Sequence, residues 1–127
     1  MPREKDDERL ALLRRILADP VVVIFRAKAL SGGERRDEGA SNLLPRHANE
    51  GERGLRTFVR IELLEFLRRG GQPNRVEVGG DDVRGDAAVF YEFRLEIEGV
   101  RLYIKAELKC DDPVDPILIV KSVKKQD

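Results

Sequence analysis

The chain has 127 residues, of which 38% are charged and 41% hydrophobic, a composition that suits one domain with an apolar core. Its 24 lysine and arginine residues balance its 24 aspartate and glutamate residues, so net charge provides no general attraction to nucleic acid or to anionic membranes. The single cysteine, Cys110, excludes an internal disulfide and a cysteine-based zinc site. The N-terminus is too charged for a secretion signal, and every apolar run is far shorter than the roughly 20 residues needed to span a bilayer. We therefore expect a cytoplasmic protein without membrane contact.

The first predicted elements are a helix and a short strand. Residues 4–18 carry apolar side chains at helical spacing, which predicts a helix with one buried face. Pro20 follows and is expected to end this helix. The next run, Val21–Phe25, is rich in β-branched residues and predicts a buried strand.

Residues 31–56 interrupt this regular pattern. They contain five glycines, one proline and ten charged residues, with Leu43–Leu44 as the apolar anchor. This composition predicts a long charged segment that is either a surface loop or a disordered insertion. Its five arginines are balanced by five carboxylates, so it is not a basic arm.

A second helix is predicted over residues 57–69, where apolar residues again recur at helical spacing and Gly70–Gly71 follow as a stop signal. Residues 72–86 are interpreted as a turn-rich link. Within residues 89–109, polar and apolar residues alternate on both sides of Glu98–Gly99, which predicts a β-hairpin.

The last predicted element is a strand over Ile117–Val123. The consecutive strands have short connectors, which favours an antiparallel arrangement. We therefore predict a single domain, residues 1–127, of the α+β class, with two helices packed on a twisted antiparallel sheet.

Several kinds of chemistry have little support in the sequence. His47 is the single histidine, and the close carboxylate pairs Asp81–Asp82 and Asp111–Asp112 fall in turns, where aspartate is favoured by local hydrogen bonds. Cys110 has no predicted histidine partner for thiol catalysis. The paired glycines lack the spacing of phosphate-binding loops. The sequence therefore predicts neither a metal nor a cofactor.

The polar face of the hairpin is the better candidate site. Tyr103 shares this face with Lys105, because residues two apart on a strand project to the same side. A tyrosine among cations suits RNA cleavage, in which cations stabilise the charge on the phosphate. A solvated strand with cross-strand pairs has the same pattern, so both interpretations stay open. The candidate cations are Arg68, Arg69, Arg101, Lys105, Lys121, Lys124 and Lys125.

Two segments of this region carry a family resemblance. A strand that follows the hairpin glycine, Val100–Lys105, contains the motif YIK, and Ile119–Lys124 forms a second short apolar strand that ends in lysine. Together they resemble, mainly over residues 93–124, the C-terminal half of MqsR-like mRNA interferases. These proteins are toxins of bacterial toxin–antitoxin pairs and are related in fold to the RelE ribonucleases.

The resemblance implies a RelE-like fold, a metal-independent endoribonuclease activity, an RNA substrate and a cognate antitoxin. Tyr103 matches the active-site tyrosine of the family, and Lys124 matches its C-terminal lysine. Arg68 or Arg69 stands in place of a lysine at the end of the second helix, and Tyr91 stands near a family glutamine. The expected RNA-binding residues are Tyr91, Arg101, Lys105, Lys121 and Lys125, with Lys121 or Lys125 replacing Lys124 if the strand register slips.

A different class of function is also open. The neutral net charge, the charge-balanced segment 31–56 and the lack of a catalytic histidine favour a non-catalytic interaction module on a similar α+β scaffold. Such a module would be an antitoxin, an immunity protein, or a phage or plasmid accessory protein. It would be recognised by a stoichiometric protein partner rather than by a cleaved RNA.

Overall fold

A computed structural model of the chain describes residues 2–33, 35, 37–78, 88–109 and 116–126. The helices are α1 (Pro2–Leu17), α2 (Ala27–Ser31), α3 (Ala40–Leu43), α4 (Pro45–Ala48) and α5 (Gly51–Arg68), with a 3-10 turn at Pro20–Val22. The strands are β1 (Val23–Phe25), β2 (Asn74–Val78), β3 (Ala88–Ile97), β4 (Val100–Lys109) and β5 (Ile117–Lys125).

The strands form one five-stranded sheet in the order β1-β5-β4-β3-β2. Neighbours from β2 to β5 are antiparallel, whereas β1 runs parallel to β5. The α+β class is confirmed, but the prediction of a purely antiparallel sheet is wrong for β1. Helices separate β1 from the other strands, so the rule for strands with short connectors does not apply to it.

The hairpin is formed as predicted. β3 and β4 pair from Val89–Leu108 to Ile97–Val100, and the turn between them has positive φ at Glu98 (50°) and Gly99 (82°). A two-residue turn with both φ values positive matches the natural twist of the two strands. The alternating sequence therefore fixes which hairpin residues face the core.

The core lies between the sheet and the two long helices. Phe93 of β3 is fully buried and contacts Phe66 of α5 edge to face, with 5.9 Å between ring centroids. Leu13 and Leu17 of α1 are also fully buried in this cluster. We call the face of the sheet that contacts α1 and α5 the inner face, and the opposite face the outer face. Among the described helices, none is long and apolar enough to cross a membrane.

Much of the segment predicted as a long charged loop is folded. Residues 31–56 contain α3, α4 and the first turn of α5, which begins at Gly51 rather than near residue 57. Ala40, Leu44 and Leu55 are buried, with at most 2% of each residue exposed. These three apolar contacts anchor the helices to the core, although charged residues outnumber them in the sequence.

A short stretch within this segment also covers the end of β5. Gly39 N donates to Val123 O (2.7 Å) and Lys125 N donates to Asp37 O (3.0 Å). Gly39 has φ of 89°, and a β-carbon there would lie 2.3 Å from Gly32 N, so only glycine fits. The stretch 37–39 therefore pairs with the part of β5 beyond β1.

The predicted link over residues 72–86 contains strand β2, which the sequence analysis missed. β2 lies at the edge of the sheet, where three of its five residues are exposed, so its hydrophobic signal is weak. The carboxylate pairs Asp81–Asp82 and Asp111–Asp112, together with Cys110, lie outside the described residues.

His47 of α4 joins the helical layer to the hairpin turn. Its Nε2 forms a hydrogen bond with Glu98 Oε1, and its Nδ1 lies 3.5 Å from Glu50 Oε1, an ion-pair distance without hydrogen-bond geometry. The ring stacks on Phe58 with 3.5 Å between centroids. The bond to Glu98 raises the pKa of His47 above its usual 6.5, although burial acts in the opposite direction. Protonated His47 thus binds the turn to α4.

We expect Glu98→Gln to lower the pKa of His47, because the hydrogen bond to this carboxylate is the main cause of the increase. NMR titration of the histidine ring protons measures this pKa directly. A histidine whose pKa is raised on folding stabilises the fold fully below its unfolded pKa of 6.5, and this stabilisation is lost as pH rises through the folded pKa.

The matched control is Glu96→Gln, which removes a neighbouring carboxylate from the same hairpin. It should leave the pKa of His47 unchanged. An unchanged His47 pKa in Glu98→Gln would contradict the described contact.

Candidate functional site

Three residues on adjacent strands form a row on the outer face. Tyr103 of β4 lies directly opposite Arg94 of β3 and Lys124 of β5. The neighbours of Tyr103 along β4, Leu102 and Ile104, are fully buried on the inner face, so Tyr103 projects outward. Directly opposite residues have β-carbons about 4.5–5.5 Å apart. We call Arg94, Tyr103 and Lys124 the outer row.

The hydroxyl of Tyr103 donates a hydrogen bond to Glu92 Oε2. The other oxygen of Glu92 accepts a bond from Asn74 Nδ2 at 2.8 Å. Arg94 lies beside the phenol ring, with its guanidinium carbon 5.1 Å from the ring centroid. Glu92 is therefore held by two donors, and Tyr103 is held between a carboxylate and a cation.

These contacts set the protonation states of the pair. Burial and then the bond to Glu92 raise the pKa of Tyr103 to about 12. The bonds from Tyr103 and Asn74 lower the pKa of Glu92. At neutral pH the tyrosine is therefore a protonated donor and Glu92 is ionised. Tyr103 is unsuited to act as a base.

Lys124 also has a carboxylate partner. Its Nζ lies 3.7 Å from Glu38 Oε1, and the same oxygen lies 3.4 Å from Arg35 Nη1. Glu38 is only 5% exposed, because the stretch 37–39 places it against β5. The charge of Lys124 is thus partly compensated in the folded chain.

A β-bulge decides which lysine joins the outer row. The ladder between β4 and β5 shifts between Lys105 and Ala106, which leaves Lys121 as the extra residue on β5. Val120 and Val123 are consequently both buried, although an odd separation would put them on opposite faces of a regular strand. This shift places Lys124 opposite Tyr103.

The other predicted lysines lie around the row. Lys121 Nζ is 3.3 Å from Glu107 Oε1, and Lys105 Nζ lies 4.5 Å from the ring centroid of Phe90. Lys125 is opposite Leu102, an inner-face position at the end of the sheet, so it does not extend the outer row.

Arg101 is exposed opposite Glu96, four pairs closer to the hairpin turn than Lys105. It shares the outer face with Tyr103, because the two residues are two apart on β4. Arg101 and Lys105 therefore flank Tyr103 along the strand, whereas Lys121 belongs to a neighbouring ion-pair cluster.

The predicted convergence of Arg68 or Arg69 with Tyr103 requires correction, as does the expected place of Tyr91 among the RNA-binding residues. Both arginines are exposed at the end of α5, which packs on the inner face, and Arg68 pairs with Glu65 of its own helix at 2.9 Å. Tyr91 is 3% exposed and lies opposite Ala106 on the inner face. Tyr91 therefore lies on the inner face of β3, whereas Tyr103 lies on the outer face of β4.

Sequence reasoning missed three residues of this site. Arg94 and Glu92 belong to the polar face of the first hairpin strand, and pairing that strand with the second would have found them. Glu38 gave no such signal, because it lies in a stretch where charged residues surround it on both sides.

Among the described residues, no three histidine, cysteine, aspartate or glutamate side chains are grouped closely enough to hold a metal ion. The chain matches no protein-family model, no curated protein and no solved structure. The similarity to mRNA interferases thus depends on the short motifs alone and stays a prediction.

We expect Glu92→Gln to lower the pKa of Tyr103 from about 12 but to leave it above 10, because burial is the larger cause of the increase. NMR of a chain labelled at the tyrosine ring carbons resolves Tyr103 from Tyr91 during the titration. Since the pKa is raised on folding, the associated stabilisation is complete below about pH 10 and is lost as pH approaches 12.

Glu107→Gln serves as the control, because it removes a carboxylate from the same face of β4 that does not contact Tyr103. An unchanged Tyr103 pKa in Glu92→Gln would show that the pairing with Glu92 is not formed.

Proposed function

We propose that the chain is a metal-independent endoribonuclease of the toxin type and that the outer row is its active site. The observation that supports this proposal is the position of Tyr103 directly between two cations, Arg94 and Lys124, on an open sheet face. RNA cleavage by the 2′-hydroxyl concentrates negative charge on the phosphate. Fixed cations and hydrogen-bond donors stabilise that charge without reorganising during the reaction.

Each group has a defined role in this proposal. Arg94 and Lys124 bind the non-bridging phosphate oxygens, and Tyr103 turns its hydroxyl from Glu92 to one of these oxygens. The released Glu92 carboxylate accepts the proton of the attacking 2′-hydroxyl. The 2′-oxygen bonds to phosphorus as the phosphorus–O5′ bond breaks, and the leaving oxygen takes a proton from water. The resulting hydroxide takes the proton from Glu92, and the products are a 2′,3′-cyclic phosphate and a 5′-hydroxyl.

The carboxylates around the row determine how RNA binds. A phosphate has to replace Glu38 at Lys124 and Glu92 at Tyr103, so part of the electrostatic gain is offset by contacts that are lost. Binding is therefore weak and depends on salt, with a slope of about −0.7 in log affinity against log salt for each phosphate neutralised. A RelE-like fold and a cognate antitoxin that covers the outer face belong to the same proposal.

Tyr103→Phe and Lys124→Gln should each reduce RNA cleavage by roughly a hundredfold or more, the range for loss of one transition-state donor. The measurement is cleavage of end-labelled single-stranded RNA at neutral pH in EDTA, with mass spectrometry of the product ends. Induced expression should arrest growth, and the combined variants Tyr103→Phe and Lys124→Ala should relieve the arrest.

The matched control is Lys109→Gln, which removes a lysine from the outer face of the same strand, about 20 Å from Tyr103. It should retain full cleavage. Wild-type protein that leaves RNA intact under these conditions and does not arrest growth would refute the proposed activity.

A second candidate is a non-catalytic interaction module. It is favoured by the pairing of Lys124 with Glu38 and of Lys121 and Lys109 with Glu107, which compensates most of the lysine charge on this part of the outer face. For such a module, native lysate should contain a stoichiometric protein partner, and Tyr103→Phe should leave its binding intact. Loss of RNA cleavage in the row variants separates the two candidates.

A further inference from the structure

A second surface with uncompensated positive charge lies on the far side of the chain from the outer row. It is a groove of about 350 Å³ between α5 and the edge strand β1. Three arginines line one side at helical spacing i, i+3 and i+7, and apolar residues from the start of the sheet line the other. The lining includes Arg53, Arg56, Arg60, Val21, Val23 and Phe25.

The arginines of this groove differ from the cations of the outer row. Arg53 and Arg56 are exposed, and in the part of the chain that the structure describes neither forms an ion pair with a carboxylate. Arg60 is held differently, since its Nη1 donates to Leu17 O at 2.7 Å. The nearby carboxylate of Asp19 accepts from Val21 N (3.0 Å). The positive end of the helix dipole lies at the first turn of α5, which also carries the exposed carboxylate of Glu52.

The strand beside these arginines has an open edge. β1 is the terminal strand of the sheet and pairs with β5 on one side. Arg26 N donates to Val120 O, and because successive amides of a strand point to opposite sides, Phe25 N–H points away from β5. Val21, in the 3-10 turn just before β1, is 83% exposed. An open edge with apolar neighbours is a template for an additional strand.

We infer that this groove binds an extended, acidic peptide segment of a partner protein. The segment adds as a strand beside β1, places its carboxylates against Arg53 and Arg56, and packs apolar side chains near Val21. The free main-chain groups of β1 can hydrogen-bond to a peptide backbone, and the apolar side of the groove can contact its apolar side chains. Single-stranded nucleic acid is usually held on exposed aromatic rings, whereas Phe25, the aromatic residue of this groove, is partly buried in the core.

The inference does not depend on RNA cleavage, because it uses no residue of the outer row. Two contacts explain why a charge-balanced stretch of sequence leaves arginines exposed on this side of α5. Glu50 is drawn toward His47, and Glu38 is drawn toward Lys124. Arg53 and Arg56 are left without those carboxylates on the outer side of α5.

The test is fluorescence anisotropy with a short labelled peptide in which glutamate alternates with valine. The wild-type chain should bind this peptide and should not bind the same peptide with lysine in place of glutamate. Arg53→Ala with Arg56→Ala should weaken binding by about tenfold, the effect of losing two exposed ion pairs. Val21→Glu should weaken it as well, because it adds a negative charge at the edge.

The matched control removes the two arginines at the other end of the same helix, Arg68→Ala with Arg69→Ala, and should leave peptide binding unchanged. Failure of the acidic peptide to bind at about 1 mM, or equal binding by the Arg53/Arg56 variant, would overturn the inference. A uridine oligonucleotide that binds in place of the peptide and is lost in the same variant would overturn it too, by showing a nucleic-acid surface.

Discussion

The pairing of β4 with both β3 and β5 is the constraint on which the outer face depends. Leu102 and Ile104 are fully buried on the inner face, and Tyr103 between them projects to solvent. A shift of one residue in either ladder would exchange the two faces of β4 and bury polar groups in the core. The hydrophobic core therefore fixes the position of Tyr103 between Arg94 and Lys124. Interactions among these three side chains are not needed to align them.

The bulge in β5 determines which lysine lies opposite Tyr103. It lets Val120 and Val123 share the core and carries Lys124 to the position opposite Tyr103. Because the bulge places one lysine in the row and leaves Lys121 beside Glu107, the cations of the face fall into separate ion-pair groups. The arrangement brings one hydroxyl and two cations together, although Lys124 is paired with Glu38 and Arg94 lies 4.0 Å from Glu92.

The hairpin and its buried face were predictable because two strands alternate without interruption over residues 89–109. The alignment of Tyr103 with Lys124 was predictable only as one of several registers, since nothing in the sequence fixes where β5 bulges. The fold of residues 31–56 was not predictable, because Ala40, Leu44 and Leu55 are its scattered apolar anchors. The contact between Glu38 and Lys124 depends on that fold, so it was not predictable from the sequence either.

The same reasoning explains why the two ends of α5 were misjudged. The periodic apolar face identified the helix, but its first turn was assigned to the loop, and its last turn was expected near Tyr103. Which side of a sheet a helix covers depends on tertiary packing rather than on local propensity. Phe66 contacts Phe93 on the inner face, so Arg68 is on the side of the sheet away from the outer row.

Binding of an uncleavable RNA analogue tests the central claim most directly. A 2′-O-methyl oligonucleotide keeps the phosphates but lacks the attacking hydroxyl, and its titration into the labelled chain is followed by NMR of backbone amides. We predict shifts concentrated at Arg94, Tyr103 and Lys124. Shifts that are absent from these residues and concentrated on α5 near Arg53 would contradict it.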